Sequence, residues 1–78
     1  MNAEKIDVTS YSGSKGDERP VKFNLRGRSI DVVDILDQWV EEELGGRKRK
    51  RYFTVKGNDG GTHRIYCDED VLNWYYVS

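Results

Sequence analysis

A run of opposite charges around two glycines most constrains how this chain can fold. Three acids at 41–43 and five consecutive bases at 47–51 flank Gly45 and Gly46, and the segments on either side are typical of strands. A turn at the glycines places the acids on one arm of a hairpin and the bases on the other, where opposite charges attract across the strand pair. The sequence therefore predicts a charged hairpin or loop at 41–51, with exposed bases paired to the acids.

The length and composition predict one small folded domain spanning 1–78. Hydrophobic residues make up 36% of the chain and charged residues 35%, so the core depends on its two tryptophans, two phenylalanines and five tyrosines. The formal net charge is −1. No global field draws such a protein to nucleic acid or to an anionic membrane, and any electrostatic role depends on local patches.

Several function classes are disfavoured by single residue counts. Cys67 is the one cysteine and His63 the one histidine, which excludes an intrachain disulfide and the usual zinc sites. We expect no cofactor. The start of the chain lacks the apolar stretch of a signal peptide, and no apolar run is long enough to span a membrane. The prediction is a cytoplasmic protein without a membrane partner.

Alternation of apolar and polar residues, the period of a strand with one buried face, marks most of the chain. Turn residues separate these segments: Gly27 supplies a tight turn at 26–28, and the Asn58-Asp59-Gly60 sequence is typical of a hairpin. A stretch rich in glycine, serine and charge at 12–19 predicts a mobile loop. The alternating segments lie at 6–11, 21–25, 52–56, 62–67 and 73–77.

The segment 29–40 fits two structures. Val32, Ile35, Leu36, Trp39 and Val40 follow the spacing of an amphipathic helix, which indicates a short helix near 32–44. The same residues also fit a long strand with a bulge near Val32 and Val33. Residue pattern alone slightly favours the helix.

Short motifs are spread along nearly the whole chain: Tyr11-Ser12-Gly13, Glu18-Arg19-Pro20, Phe23, Gly27, Ile35-Leu36-Asp37-Gln38-Trp39, Arg51-Tyr52-Phe53-Thr54-Val55, Asp59-Gly60, Ile65-Tyr66 and Trp74. In these residues the chain resembles a family of short bacterial cytoplasmic proteins of unknown function. That resemblance implies a compact β meander in which the Ile-Leu-Asp-x-Trp segment belongs to a strand, and it implies no activity or cofactor.

We therefore predict an all-β domain, a small antiparallel meander or half-open barrel of about five or six strands, with α+β as the alternative. The core should centre on Trp39, Phe53, Ile65 and Trp74. Period two also carries Asp37 inward, where Arg28 or a backbone amide would have to satisfy it. A bulge that turns the apolar residues of 29–40 to one interior favours a monomer, and a dimer through this strand is the alternative.

Two sets of residues are candidate binding sites, because no pairing of acids, nucleophile or metal ligands supports an enzyme. The function predicted is a non-enzymatic binding module. It binds nucleic acid, or an acidic protein, through bases; the alternative is a protein–protein interaction through an exposed strand edge or an aromatic patch. The bases are Arg26, Arg28, Arg47, Lys48, Arg49, Lys50, Arg51, Lys56 and Arg64, and the exposed aromatics are Tyr52, Tyr66 and Tyr75.

Overall fold

Six antiparallel strands close into a small barrel in the computed structural model, which describes residues 3–12, 18–43, 45 and 48–78. Each strand pairs with the next in sequence, and residues 3–6 of the first pair with residues 74–77 of the last. The predicted all-β fold is confirmed, and the barrel is closed instead of half-open because of this last pairing. The strands are β1 (Ala3–Ser12), β2 (Glu18–Leu25), β3 (Arg28–Glu42), β4 (Arg49–Gly57), β5 (Thr62–Asp68) and β6 (Asn73–Val77).

Glycines lie in the turns between β2 and β3 and between β4 and β5. Arg26 and Gly27 both have positive φ, 52° and 82°, as the tight hairpin turn between β2 and β3 requires. The β4–β5 turn closes with a hydrogen bond of 2.9 Å from the Gly57 amide to the Gly61 carbonyl. The predicted loop at 12–19 is shorter than expected, since Ser12 pairs with Glu18 and both belong to strands. The rest of that prediction, at 13–17, lies outside the described residues.

The barrel interior holds the apolar face of every strand. Phe53, Ile65 and Trp74, three of the four residues predicted for the core, are buried. Among the described residues, the buried apolar cluster consists of Ile6, Phe23, Ile30, Phe53, Val55, Ile65, Cys67 and Trp74, and partly buried Val8, Leu25, Val32, Ile35 and Tyr76 pack against it.

Strand β3 is bent by two irregularities in its pairing with β4. The register shifts once between Val32 and Asp34 and again between Ile35 and Asp37, so that Val33 and Leu36 are the extra residues. The first shift confirms the predicted bulge. The helix predicted as the alternative near 32–44 is wrong for 32–42, because these residues belong to the strand.

The second bulge overturns two sequence predictions. An extra residue at Leu36 reverses the alternation, so Asp37 and Trp39 point to the face opposite Ile35. Asp37 is exposed and not buried; its Oδ1 accepts a 2.9 Å hydrogen bond from the backbone amide of Gln38, and Arg28 is not involved. Trp39 is half-buried on the outside of the barrel and does not belong to the core.

The charged segment 41–51 forms the end of the β3–β4 pair. Glu41 lies opposite Lys50 and Glu42 opposite Arg49, so the acids and the bases occupy the two arms. The Glu43 amide donates a 3.0 Å hydrogen bond to the Lys48 carbonyl. Positions 44, 46 and 47, including the predicted patch residue Arg47, lie outside the described residues.

Candidate interaction surface

Four aromatic side chains form a continuous row across the outer surface of β3, β4, β5 and β6. Trp39 lies directly opposite Tyr52, Tyr52 opposite Tyr66, and Tyr66 opposite Tyr75. The ring centroids are 5.2, 4.9 and 5.0 Å apart, with interplanar angles of 3°, 30° and 8°. We call Trp39, Tyr52, Tyr66 and Tyr75 the aromatic row. Lys5 of β1 continues its register beyond Tyr75.

The row arises from strand alternation. Phe53, Ile65 and Trp74 fill the interior, so their neighbours in sequence must face outward, and antiparallel register brings these outward aromatics opposite one another. Each ring of the row is half-buried by its neighbours. The sequence predicted Tyr52, Tyr66 and Tyr75 as an aromatic surface, and the structure stacks them together.

Two cations lie over the rings. The guanidinium carbon of Arg64 is 5.3 Å from the centroid of the Trp39 ring, and Nζ of Lys50 is 5.3 Å from the centroid of Tyr66. Both distances allow an attractive cation–π interaction. Acids lie on the same face. Asp37 and Arg64 are paired with the same residue of β4, Thr54, from its two sides. Lys50 likewise lies between Glu41 of β3 and Asp68 of β5. The outer face therefore carries both signs of charge around an apolar centre.

Burial alters the chemistry of two phenols in the row. Burial raises the pKa of Tyr52 above 10.0, and the charge and hydrogen bond of the Glu41 carboxylate raise it further. Burial also raises the pKa of Tyr66, with smaller contributions from Tyr75 and Asp68. Both hydroxyls remain protonated hydrogen-bond donors at neutral pH.

The basic run divides between the two faces of β4. Lys50 lies on the aromatic face, whereas Arg49 and Arg51 face the other way and meet Glu69 of the β5–β6 turn, at 3.6 and 3.0 Å. Arg49 also contacts Glu42 at 3.4 Å. Lys48 is exposed. Among the described residues, Glu42 is the one predicted acid that forms an ion pair with the basic run, whereas Glu69 engages two of its bases.

The remaining predicted bases lie apart from this run. Arg26 forms a 3.0 Å ion pair with Glu4 beside the β2–β3 turn. Arg28 is exposed at the start of β3, and Lys56 is exposed opposite Asp34. The described members of the predicted basic set are therefore spread over several surfaces, and only Lys50 and Arg64 adjoin the aromatic row.

Asp59, His63 and Tyr76 form a second polar cluster, which runs from the β4–β5 turn to β6. Both carboxylate oxygens of Asp59 are 3.1 Å from Nε2 of His63, and Nδ1 of His63 is 2.8 Å from the hydroxyl of Tyr76. The His63 ring is buried and meets Phe23 edge-on, with centroids 5.3 Å apart. The alternation of β5 puts His63 on the same inner face as Ile65 and Cys67, whereas its contact with Asp59 depends on the path of the β4–β5 turn.

Clustered metal ligands and helices of membrane-spanning length are both absent from the described part of the chain. Across residues 3–12, 18–43, 45 and 48–78, no three His, Cys, Asp or Glu side chains converge as metal ligands. The same residues contain no helix with the length and hydropathy needed to cross a membrane.

Comparisons with known proteins give no relative from which a function could be transferred: no family model matches the chain, and neither a curated protein nor a solved structure shows significant similarity to it.

Proposed function

We propose that this protein is a non-enzymatic protein–protein interaction module that binds its partner through the aromatic row. The observation that carries the proposal is the continuous stack of Trp39, Tyr52, Tyr66 and Tyr75 with Arg64 against one end. Tryptophan, tyrosine and arginine supply most of the binding energy in protein interfaces. A row of them on one rigid sheet is a ready-made centre for such an interface.

Stacking favours a protein partner because it fixes the rings before binding. Each side chain is held by its neighbour in a nearly parallel arrangement, so little rotamer entropy remains to be lost on association. At these distances the neighbouring rings also cover the faces that they turn toward one another, which leaves the ring edges for a partner. A protein surface can pack on ring edges, whereas a nucleobase between two rings would have to separate an existing pair.

The local charges also suit a protein better than a phosphate backbone. Lys50 and Arg64 are accompanied on this face by Asp37, Glu41 and Asp68. Phosphate-dominated binding requires an excess of positive charge, because its affinity comes largely from neutralising phosphates and releasing counterions. A face with mixed charges instead favours a polar rim around an apolar centre.

Single-stranded nucleic acid is the second candidate, and the two cations over the rings favour it. Lys50 and Arg64 lie against the row, and Lys5 follows it in register. Aromatic rings interleaved with bases are the usual platform for single strands. The two candidates differ in their salt dependence, since phosphate contacts weaken steeply as salt rises.

A crosslinking experiment tests the proposal. Benzoylphenylalanine in place of Tyr75, at the end of the row, should crosslink a protein in host cells, and the purified partner should then bind the wild-type chain directly. We expect Trp39→Ala and Tyr66→Ala to weaken that binding at least about tenfold, about 1.4 kcal/mol. The matched control is Tyr11→Ala, an aromatic 59% exposed outside the row, which should leave affinity unchanged.

The contrary outcomes are equally specific. Equal effects of Tyr11→Ala and Tyr66→Ala would remove the row from the interface. Tight binding of an oligothymidine that requires Trp39 and is lost at high salt would replace the protein partner with nucleic acid.

A further inference from the structure

Among the described strands, one edge of β3 has no partner beyond its short pairing with β2. The two strands pair only from Lys22 opposite Asp31 to Leu25 opposite Arg28. Beyond this point, β2 pairs with β1 and β3 pairs with β4, and the described strands provide no partner for the second edge of β3 from residue 33 to 42. An open edge presents backbone donors and acceptors that another strand can pair with.

A groove of about 380 Å³ lies where β2 and β3 separate. Its β2 side consists of Arg19, Pro20 and Val21, and its β3 side of residues 32–35. We call the open edge at 33–42 together with this cavity the edge groove.

The edge groove is unusually apolar for a surface of this protein. Val33 is 58% exposed, Leu36 51%, and Val21 and Val40 40% each. The bulges cause this, because Val33 and Leu36 are the two extra residues and neither has a place in the β4 register. An extended segment lying along the edge would cover these side chains as well as satisfy the backbone.

The charged residues on the β3 side of the groove are acidic, and Arg19 is the one base among the described residues that line its β2 side. Asp31, Asp34, Asp37 and Glu41 are exposed on β3, and none of them forms an ion pair with a described residue. Asp31 hydrogen-bonds Asn58, and Asp37 accepts a bond from its own strand. Lys22, Lys56 and Lys50 lie opposite Asp31, Asp34 and Glu41 in register without closing an ion pair. The strand therefore offers four carboxylates that are in no ion pair with a described residue, beside an apolar edge.

From these observations we propose that the edge groove binds an extended peptide in which basic and apolar residues alternate. The peptide adds to β3 as a further strand, with its backbone on the open edge, its apolar side chains on Val33 and Leu36, and its bases beside Asp34 and Asp37. Another copy of this chain fits poorly, because β3 pairing with itself would bring carboxylates next to carboxylates.

Binding of a synthetic peptide tests this directly. The probe is a fluorescent octapeptide of alternating lysine and valine, and fluorescence anisotropy measures its affinity. We expect Val33→Lys/Leu36→Lys to weaken binding at least about tenfold, equivalent to about 1.4 kcal/mol. The matched control Val71→Lys changes a valine that is also 58% exposed, but lies in the β5–β6 turn, and should have no effect.

Charge reversal and backbone methylation give two independent readings. Asp34→Lys/Asp37→Lys should reject the lysine–valine peptide and bind its glutamate–valine counterpart. Two further peptides carry N-methyl groups on either the odd-numbered or the even-numbered amides. One of the two should lose binding and the other should keep it, because only one set of amides faces β3. Loss of binding by both methylated peptides, or by neither, would overturn the proposal that the peptide adds to β3 as a strand. Thermal melting confirms that each variant is folded.

Failure of this proposal is separable from failure of the proposed function. Tyr66 lies on β5, away from the edge groove, so Tyr66→Ala should leave peptide binding unchanged. Peptide binding that depends on Tyr66 and not on Leu36 would assign the peptide to the aromatic row and overturn the edge groove. A concentration-dependent dimer that Leu36→Lys dissociates would show that a second copy occupies the edge, and would overturn it as well.

Discussion

Asp59 and His63 are joined across the β4–β5 turn by a carboxylate–imidazole contact, with Nε2 at 3.1 Å from each carboxylate oxygen. The backbone amide of Gly61 makes the largest contribution to lowering the pKa of Asp59 below 3.8, and the hydrogen bond with the His63 side chain makes the next. The ionised carboxylate can only accept hydrogen bonds, so Nε2 carries a proton. In the neutral ring Nδ1 then accepts the hydrogen bond of the Tyr76 hydroxyl. One buried ring thus ties the β4–β5 turn to β6.

The first prediction follows from the sign of the Asp59 shift. A lowered pKa stabilises the folded protein above the unfolded-state value of about 3.8, and this contribution is lost as pH falls through the folded-state pKa. We expect Asp59→Asn to reduce the free energy of unfolding at neutral pH and to make no difference in strong acid. Urea unfolding at a series of pH values measures both. A penalty that stays constant into strong acid would contradict this account.

The second prediction concerns Gly57, which packs beneath that turn. A Cβ here would lie 2.6 Å from Oδ1 of Asp59 and 2.7 Å from Cγ2 of Ile30. We expect Gly57→Ala to cost about 1–3 kcal/mol by overpacking and to shift the ring resonances of His63, which lies 3.2 Å from the same Cβ position.

The matched variant for Gly57 is Gly60→Ala. Gly60 has open space around it but a φ of 83°, so alanine there costs about 1–2 kcal/mol through the backbone. Unfolding midpoints and His63 spectra compare the two glycines. Because Gly60→Ala should leave the His63 ring signals in place, an equal perturbation of His63 by both variants would rule out the packing explanation.

The fold was predictable as far as the alternation of the sequence extends. Phe53, Ile65 and Trp74 lie on inner faces because each follows period two within a regular strand. The alternation failed in β3 at Leu36. A bulged residue is normally inferred from a break in the pattern, but Leu36 is as apolar as the partly buried Ile35 beside it, so the sequence carries no visible break.

The third prediction tests the different places of the two tryptophans, with Trp74 in the core and Trp39 on the outer face. Trp74→Ala empties the core and should cost about 3–5 kcal/mol, which approaches the whole stability of a small domain. Trp39→Ala removes only a stacked partner on the outer face and should cost about 1–2 kcal/mol. Chemical denaturation measures both, and Trp74→Phe serves if the alanine variant does not fold. Equal costs would return Trp39 to the core.

The candidate site was partly predictable for the same reason. Period two predicts that Tyr52, Tyr66 and Tyr75 face outward because their neighbours are core residues. It does not predict Trp39 as part of the row, because the extra residue Leu36 reverses which positions of β3 face outward. The division of the basic run follows from period two along β4, which separates Lys50 from Arg49 and Arg51. The contact of those arginines with Glu69 depends on the path of the β5–β6 turn, which local pattern does not encode.

The fourth prediction measures that contact. Glu69 engages Arg49 and Arg51, and its side chain is only 28% exposed. We expect Glu69→Gln to cost roughly 1 kcal/mol and the cost to decrease in high salt, because partly exposed ion pairs are screened. Among the described residues, Glu42 forms an ion pair with Arg49 alone, and that pair is more exposed to solvent. Glu42→Gln should therefore cost less than about 0.5 kcal/mol. Thermal melting at two salt concentrations would contradict this if Glu42 proved the more costly loss.

The last prediction uses the phenols of the aromatic row as reporters of their surroundings. Burial first, and the Glu41 carboxylate second, raise the pKa of Tyr52, whereas Glu41 has no part in the raised pKa of Tyr66. We expect Glu41→Gln to lower the pKa of Tyr52 without returning it to 10.0, since burial remains, and to leave that of Tyr66 unchanged.

Carbon NMR titration of the labelled tyrosine rings separates the two phenols. The raised pKa values also mean that their contribution to stability is complete below about pH 10 and is lost as pH rises through the folded-state pKa values. Glu41→Gln should therefore reduce the loss of stability in alkali. A parallel shift of Tyr52 and Tyr66 would mean that the variant changes the burial of the whole row, and would contradict a local effect of the carboxylate.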